Sequence, residues 1–177
     1  WQAVREACNA HGTLLIFDEI PTGLGKTGRF FAAEHDGAKP DIVVLGKALG
    51  GGVLPIAACL ARDDLNVAGA YAFGHYTHEK NPVTAAAALA TLEVIEREGL
   101  VENAARVGAH ALARLQAMQQ RHAVIGDVRG RGLLLGIELV AERATKTPAT
   151  DLAEQVLYRA LSRGLSFKTT MGNVLTW

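Results

Sequence analysis

Two stretches decide the fold: TLLIFDE at residues 13–19 and DIVVLGKALGGG at residues 41–52. Each carries a short apolar run that ends abruptly, the first in Asp18 and Glu19, the second in Gly46 and Lys47. Runs of this length bounded by turn residues are the pattern of strands buried in a parallel sheet. Working outward, residues 1–10 have helical spacing, with Gly12 as a stop. Glycines crowd residues 22–28, and residues 30–35 have room for one or two helical turns before Pro40. Residues 53–60 read as a third strand. Strands separated by loops and helical segments define an α/β class.

Further on, residues 83–98 form an alanine-rich helix entered through Asn81-Pro82, a proline suited to the first turn. Gly99 breaks the pattern, and a helix resumes over residues 101–122 with Leu112, Leu115 and Met118 on one face. Two strands follow, at residues 124–128 and 133–140, joined by a turn through Arg129-Gly130-Arg131-Gly132. Asp151 and Glu154 have the spacing of a capping box that opens a helix running to Ser162. A last strand begins near Leu165. The expected division is an α/β part at residues 1–98 and a smaller α+β part at residues 99–177. The chain starts without methionine, inside a helix, and stops inside a strand, so it reads as a piece of a longer protein.

Of the 177 residues, 49% are hydrophobic and 20% charged, which excludes a disordered tail. Eighteen basic side chains balance eighteen acidic ones without any block of like charge. That excludes a nucleic-acid surface or a polybasic membrane anchor. The apolar stretch at residues 53–61 is too short to span a bilayer, and the first residues lack a signal peptide's apolar centre. Cys8 and Cys59 sit in apolar settings, which fits a reducing, cytoplasmic compartment. His11, His35, His110 and His122 have no metal-ligand spacing, so no metal site is expected.

Two motifs imitate nucleotide binding and fail. Gly23-Leu24-Gly25-Lys26-Thr27-Gly28 matches G-x-G-x-x-G, but Pro21 and its neighbours separate it from the strand, and the nearby acid, Asp41, precedes the next strand. Gly25-Lys26-Thr27 resembles a phosphate loop, yet Ile20 stands where its first glycine belongs. A different pair has better placement. Asp18 and Lys47 each lie at the C-terminal end of an apolar strand, where open α/β sheets hold ligands. A lysine beside glycines in an apolar neighbourhood can lose its proton and attack a carbonyl. A lysine Schiff base with an aspartate on a pyridine nitrogen is what proteins contribute to pyridoxal phosphate chemistry. On spacing alone, a loop-capping Asp18 and a solvated Lys47 account for the same residues.

Four segments together carry a family resemblance: LLIFDEIPTGLGKTGRFFAAEH (14–35), PDIVVLGKALGGGVLPIAA (40–58), NPVTAAAALATLEVIE (81–96) and GDVRGRGLLLGIEL (126–139). They resemble class III aminotransferases over essentially the whole chain, in the same order and spacing. The resemblance implies the aspartate-aminotransferase fold (fold type I), here part of the large α/β domain and part of the small α+β domain. It implies pyridoxal 5'-phosphate as cofactor, small amine and keto-acid substrates, and a homodimer. Lys47 matches the lysine that forms the Schiff base and shuttles the proton, and Asp18 the aspartate on the ring nitrogen. Ile20 matches a branched side chain on one face of the ring. Thr77 matches a threonine that reaches the cofactor phosphate of the other subunit, so the active site would need two chains.

The implied activity is transfer of an amino group from an amine or omega-amino substrate to a keto acid. Three departures qualify it. Pro21 stands where many members have a glutamine that holds the ring hydroxyl. Thr176 stands in GNVLTW (172–177) where an arginine often binds the substrate carboxylate. The loop GHYTHEKNP (74–82) is unusually polar, and His75, His78, Glu79 and Lys80 are either substrate contacts or a solvated loop. The alternative is therefore an ammonia- or phospho-lyase acting on an aminophosphonate or a phosphorylated amino alcohol, and beyond it an amino-acid racemase. The family's other phosphate loop and its ring-stacking aromatic lie upstream of this segment, so the 177 residues alone are expected to be catalytically silent.

Overall fold

The computed structural model describes residues 1–71 and 76–177. The chain divides into two compact units, Trp1–Val101 and Glu102–Trp177.

In the first unit, helix α1 (Gln2–Ala10) ends before Gly12, which turns the chain at φ +61°. Strands β1 (Ile16–Asp18) and β2 (Ile42–Leu45) pair in parallel, with Ile16 opposite Ile42 and Asp18 opposite Val44. Strand β3 (Ala58–Ala61) then pairs antiparallel with β2. Along β1 burial alternates: Leu15 and Phe17 are buried, whereas Ile16 is 55% exposed. Leu15, Phe17, Ala33 and Ala38 form a core, with Cys8 of α1 and Phe31 packed on it.

The third strand is shorter than the sequence predicts. Residues 53–57 are not strand, and Val53 is 84% exposed. The N–H groups of Val53 and Leu54 turn back to the carbonyl of Gly50, and Pro55 has no N–H to give to a ladder. Helix α2 (Pro82–Arg97) starts as expected, with Pro82 in its first turn and the Asn81 side chain accepting from the Val83 N–H at 3.0 Å. Ala88, Leu92 and Ile95, spaced four and three apart, bring one face of α2 against Leu45 and Leu49.

The other end of β2 is held by a buried carboxylate that no sequence motif announces. Asp41 is 4% exposed and accepts from the Leu15 N–H at 2.7 Å and from Arg5 at 2.6 Å. Arg62 meets its second oxygen at 2.7 Å. The Leu15 N–H and the Arg5 guanidinium hold the Asp41 carboxyl below the ordinary carboxylate range. A carboxyl whose pKa is lowered by folding stabilises the fold above its unfolded pKa, and that stabilisation disappears as pH falls through the folded value. Acid unfolding is therefore expected to separate the native protein from Asp41→Asn at neutral pH and to bring their urea midpoints together in strong acid. A constant gap at every pH would exclude this role.

In the second unit, helix α3 (Leu100–Arg121) leads into an antiparallel sheet ordered β4-β5-β8-β7. Its strands are β4 (Ile125–Arg131), β5 (Leu134–Glu142), β7 (Lys168–Thr170) and β8 (Val174–Thr176), and the two-residue β6 (Thr147–Pro148) pairs with β5. Helix α4 (Thr150–Leu161) contributes Leu152, Ala153 and Val156 to a core with Ile125, Val128, Ile137, Leu139 and Leu175. Leu112 and Leu115 of α3 join that core, while Met118 is 37% exposed. The predicted capping box does not form. The helix begins at Thr150 after Ala149, without a side-chain cap, so Asp151 lies in its first turn, where a negative charge suits the helix dipole. The predicted turn at residues 129–132 also begins later, because β4 runs on through Arg131. There Arg129 reaches Asp127 at 2.6 Å and Glu138 at 2.8 Å. Arg143 ends α3 by donating to the carbonyls of Gln119 and His122, and its Nε donates to that of Ile125 at 3.1 Å.

Gly108 of α3 lies directly against the carbonyl of Gly132, and an added Cβ would overlap it. Alanine normally favours a helix over glycine by about 1 kcal/mol. Here the obstacle is backbone and cannot rotate away, so Gly108→Ala is expected to lose at least about 2 kcal/mol, as overpacked cores do. A denaturant midpoint at or above that of the native protein would show that this contact is looser than described.

Candidate active site

The parallel pair sets the geometry. Asp18 ends β1 opposite Val44, and Lys47 follows three residues after Val44, so both side chains leave from the same, C-terminal edge of the sheet. That is the edge where open α/β sheets bind ligands. Lys47 begins a 3-10 turn (Lys47–Gly50) at φ +46°, a left-handed conformation that costs a non-glycine residue about 1–3 kcal/mol. Leu24, Lys146 and Met171 share a positive φ, each within a turn. Gly51 closes the 3-10 turn at φ +68°, with Thr91 of α2 at 3.1 Å from where its Cβ would be.

Asp18 is exposed, and its Oδ1 accepts from the Ile20 N–H at 2.9 Å. The bond fixes the carboxylate's direction and leaves Oδ2 without a partner among the described residues. Lys47 is also exposed and has no hydrogen-bond or ion-pair partner among them. Ile20 lies over Gly46, its methyl and methylene carbons 3.4 and 3.5 Å from where a Cβ of Gly46 would be. A carboxylate with one oxygen spare, an amine without a counter-ion and a branched apolar side chain thus gather at one edge. This set fits pyridoxal phosphate, which needs an amine for attachment, an anion on the ring nitrogen and apolar contact with the ring.

The other residues singled out from sequence belong to other elements. Thr77 is exposed on a turn ahead of α2, in a shallow depression with Tyr76, His78, Glu79, Lys80, Asn81 and Pro82. Lys80 reaches Glu79 at 3.7 Å, and both remain accessible. Gly74 and His75 fall outside the described residues. Thr176 belongs to the second unit, where its hydroxyl donates to the Lys168 carbonyl at 3.4 Å across the β7–β8 pair. Residues 23–28 form turns and do not open a helix, so the glycine motif has no helix N-terminus to offer a phosphate. Among the described residues no His/Cys/Asp/Glu group suits a metal ion, and no helix is long and apolar enough to cross a membrane.

One buried group next to the site went unnoticed in the sequence. Glu19 is 3% exposed, with Oε1 accepting from the Ala33 N–H at 2.8 Å and Oε2 from the Thr22 hydroxyl at 2.6 Å. Its only sequence signal is position: an acid directly after Asp18 at the end of an apolar run.

A lysine and an aspartate are what proteins contribute to pyridoxal phosphate chemistry, and comparison with known proteins assigns the family. Residues 1–176 match the family described as Aminotransferase class-III, and the chain belongs to that family. Among curated relatives it is 49% identical to an (R)-1-hydroxy-2-aminoethylphosphonate ammonia-lyase of Vibrio splendidus, over 99% of this chain and 36% of the relative. It is 44% identical to a leucine/methionine racemase of Thermococcus litoralis, over 99% of this chain and 39% of the relative. Among solved structures, an amine transaminase from an uncultivated Pseudomonas species in its PLP-bound form superposes with a TM-score of 0.92. That protein is 34% identical, and the match covers 99% of this chain and 42% of it. The fold is therefore part of a pyridoxal phosphate-dependent transaminase fold. The chain spans about two fifths of the length of the proteins it matches.

Proposed function

We propose that the protein acts as a pyridoxal phosphate-dependent aminotransferase, moving an amino group from an amine or omega-amino donor to a keto acid. The observation that carries this reading is the strained Lys47 on the same sheet edge as Asp18, whose second oxygen is open. Lys47 would attach the cofactor as a Schiff base, Asp18 would accept a hydrogen bond from its ring nitrogen, and Ile20 would pack on its ring. Thr77 would serve the phosphate site of a second copy in a homodimer. When bound, the cofactor withdraws electrons from the amine-bearing carbon of the substrate. Lys47 is then the base that takes the proton from that carbon and the acid that returns it, and among the described residues its amine has no ion-pair partner. Asp18 would offer its open Oδ2 to the ring nitrogen, and the Ile20 N–H stops the carboxylate from swinging away. The free cysteines Cys8 and Cys59 support a cytoplasmic location.

A second reading has its own support. By the resemblance, Thr176 stands where members of the family often carry an arginine for the substrate carboxylate, and its hydroxyl donates to the Lys168 carbonyl. Together with the aminophosphonate ammonia-lyase among the relatives, this favours elimination of ammonia from an anionic amino substrate. The test uses the full-length protein with pyridoxal phosphate. Borohydride reduction should label the peptide that contains Lys47; labelling elsewhere would defeat both readings. Candidate amines are then supplied with and without a keto acid. Sustained product release that depends on the keto acid supports aminotransfer. Sustained release without it supports the lyase.

A further inference from the structure

The geometry points to Glu19 as a positioning residue for this site: its buried carboxylate locks the backbone from which Asp18 and Ile20 project, and so sets both against Lys47. This inference rests on the proposed cofactor chemistry. Glu19 lies between Asp18 and Ile20, and its N–H donates to the Val44 carbonyl at 2.9 Å, which ties it to β2 shortly before Lys47. Its own carbonyl accepts from the Gly23 N–H at 2.9 Å and from the Thr22 N–H at 3.3 Å. The loop folds back so closely that a Cβ on Gly23 would stand 3.0 Å from that carbonyl. The two carboxylate oxygens then fasten Thr22 and Ala33, the latter at the start of the 3-10 turn Ala32–His35.

Every polar atom of Glu19 is thus committed to holding chain segments in place. Burying a carboxylate among neutral donors is costly, and an apolar side chain would fill the same space more favourably. What an apolar residue could not do is bind Thr22 and Ala33 at once. The gain is geometric and falls on the two neighbouring side chains, Asp18 and Ile20. Neither side chain shares a hydrogen bond with the Glu19 carboxylate. Their directions follow from the backbone that Glu19 pins.

The test uses the full-length protein loaded with pyridoxal phosphate and the variants Glu19→Gln, Glu19→Ala and Thr22→Val. Glutamine can accept from Ala33 and donate to Thr22, so Glu19→Gln should keep kcat near native. Glu19→Ala should lower kcat by about 10²-fold with KM changed far less, the effect of a small misplacement of reacting groups. Thr22→Val, which removes one of the two fastenings, should fall between them. The visible absorption of the Lys47-linked cofactor should titrate at an altered pH in Glu19→Ala and Thr22→Val but not in Glu19→Gln. Lower melting temperatures with native kcat and native titration in Glu19→Ala and Thr22→Val would overturn the inference. If Glu19→Ala does not fold, the same comparison on Thr22→Val decides. If Glu19→Gln loses activity as fully as Glu19→Ala, charge and not position is what matters, and the inference falls. Absence of a borohydride label on Lys47 in the native protein would instead defeat the functional reading, and this inference with it.

Discussion

Lys47→Ala is expected to remove the borohydride-fixed label and to lower turnover of the full-length protein at least about 10⁴-fold, the scale seen when a covalent nucleophile is lost. The size follows from two duties resting on one amine. Lys47 is the proposed attachment point, and it also moves the proton. The backbone supports the assignment, because a lysine held at φ +46° is strained, and such strain persists where the surrounding structure imposes it. Here the turn that follows is seated on α2 through Gly51 and Thr91. Lys47→Gly should relieve the strain and raise the melting temperature relative to Lys47→Ala. Native turnover by Lys47→Ala would refute the reading outright.

Asp18→Asn is expected to keep the label on Lys47 and yet lower the rate by about 10²–10³-fold, the range for losing one group that stabilises developing charge. The variant is informative because an asparagine side-chain oxygen can still accept from the Ile20 N–H. The turn at residues 18–20 survives and only the charge is lost. Asp18→Ala removes both, so any further loss measures the turn itself. A native rate in Asp18→Asn would mean that the carboxylate serves only to cap its loop.

Much of this site was legible in the sequence. Two apolar runs ending in Asp18 and Lys47 announced the parallel pair, and both residues lie at its C-terminal end, where such sheets hold ligands. Glu19 and Asp41 were not legible. Their importance lies in partners distant along the chain, such as Ala33 for one and Arg5 with Arg62 for the other, and no local period encodes such pairings. The third strand was drawn too long for a similar reason. Residues 53–57 are apolar enough for a strand, but the turn back to Gly50 and the missing donor of Pro55 take precedence. The capping box at Asp151 and Glu154 failed because α4 starts two residues earlier, with Ala149 at the N-cap and Thr150 as its first residue. Helix boundaries depend on tertiary packing as much as on their own residues.

The Asp41 cluster also bears on the order in which the chain can fold. Its carboxylate joins Arg5, the start of β1 and Arg62, segments brought together only when the intervening loops have closed. Contacts of such sequence separation incur their entropic cost before they return any stability. During synthesis, β1 and β2 can pair as soon as Leu45 has emerged, yet the clamp at their far end waits for Arg62. Until then Asp41 is a carboxylate with one of its two cations, and the young sheet lacks its antiparallel edge, β3. The clamp opposite the lysine edge thus closes only after the chain through Arg62 is available.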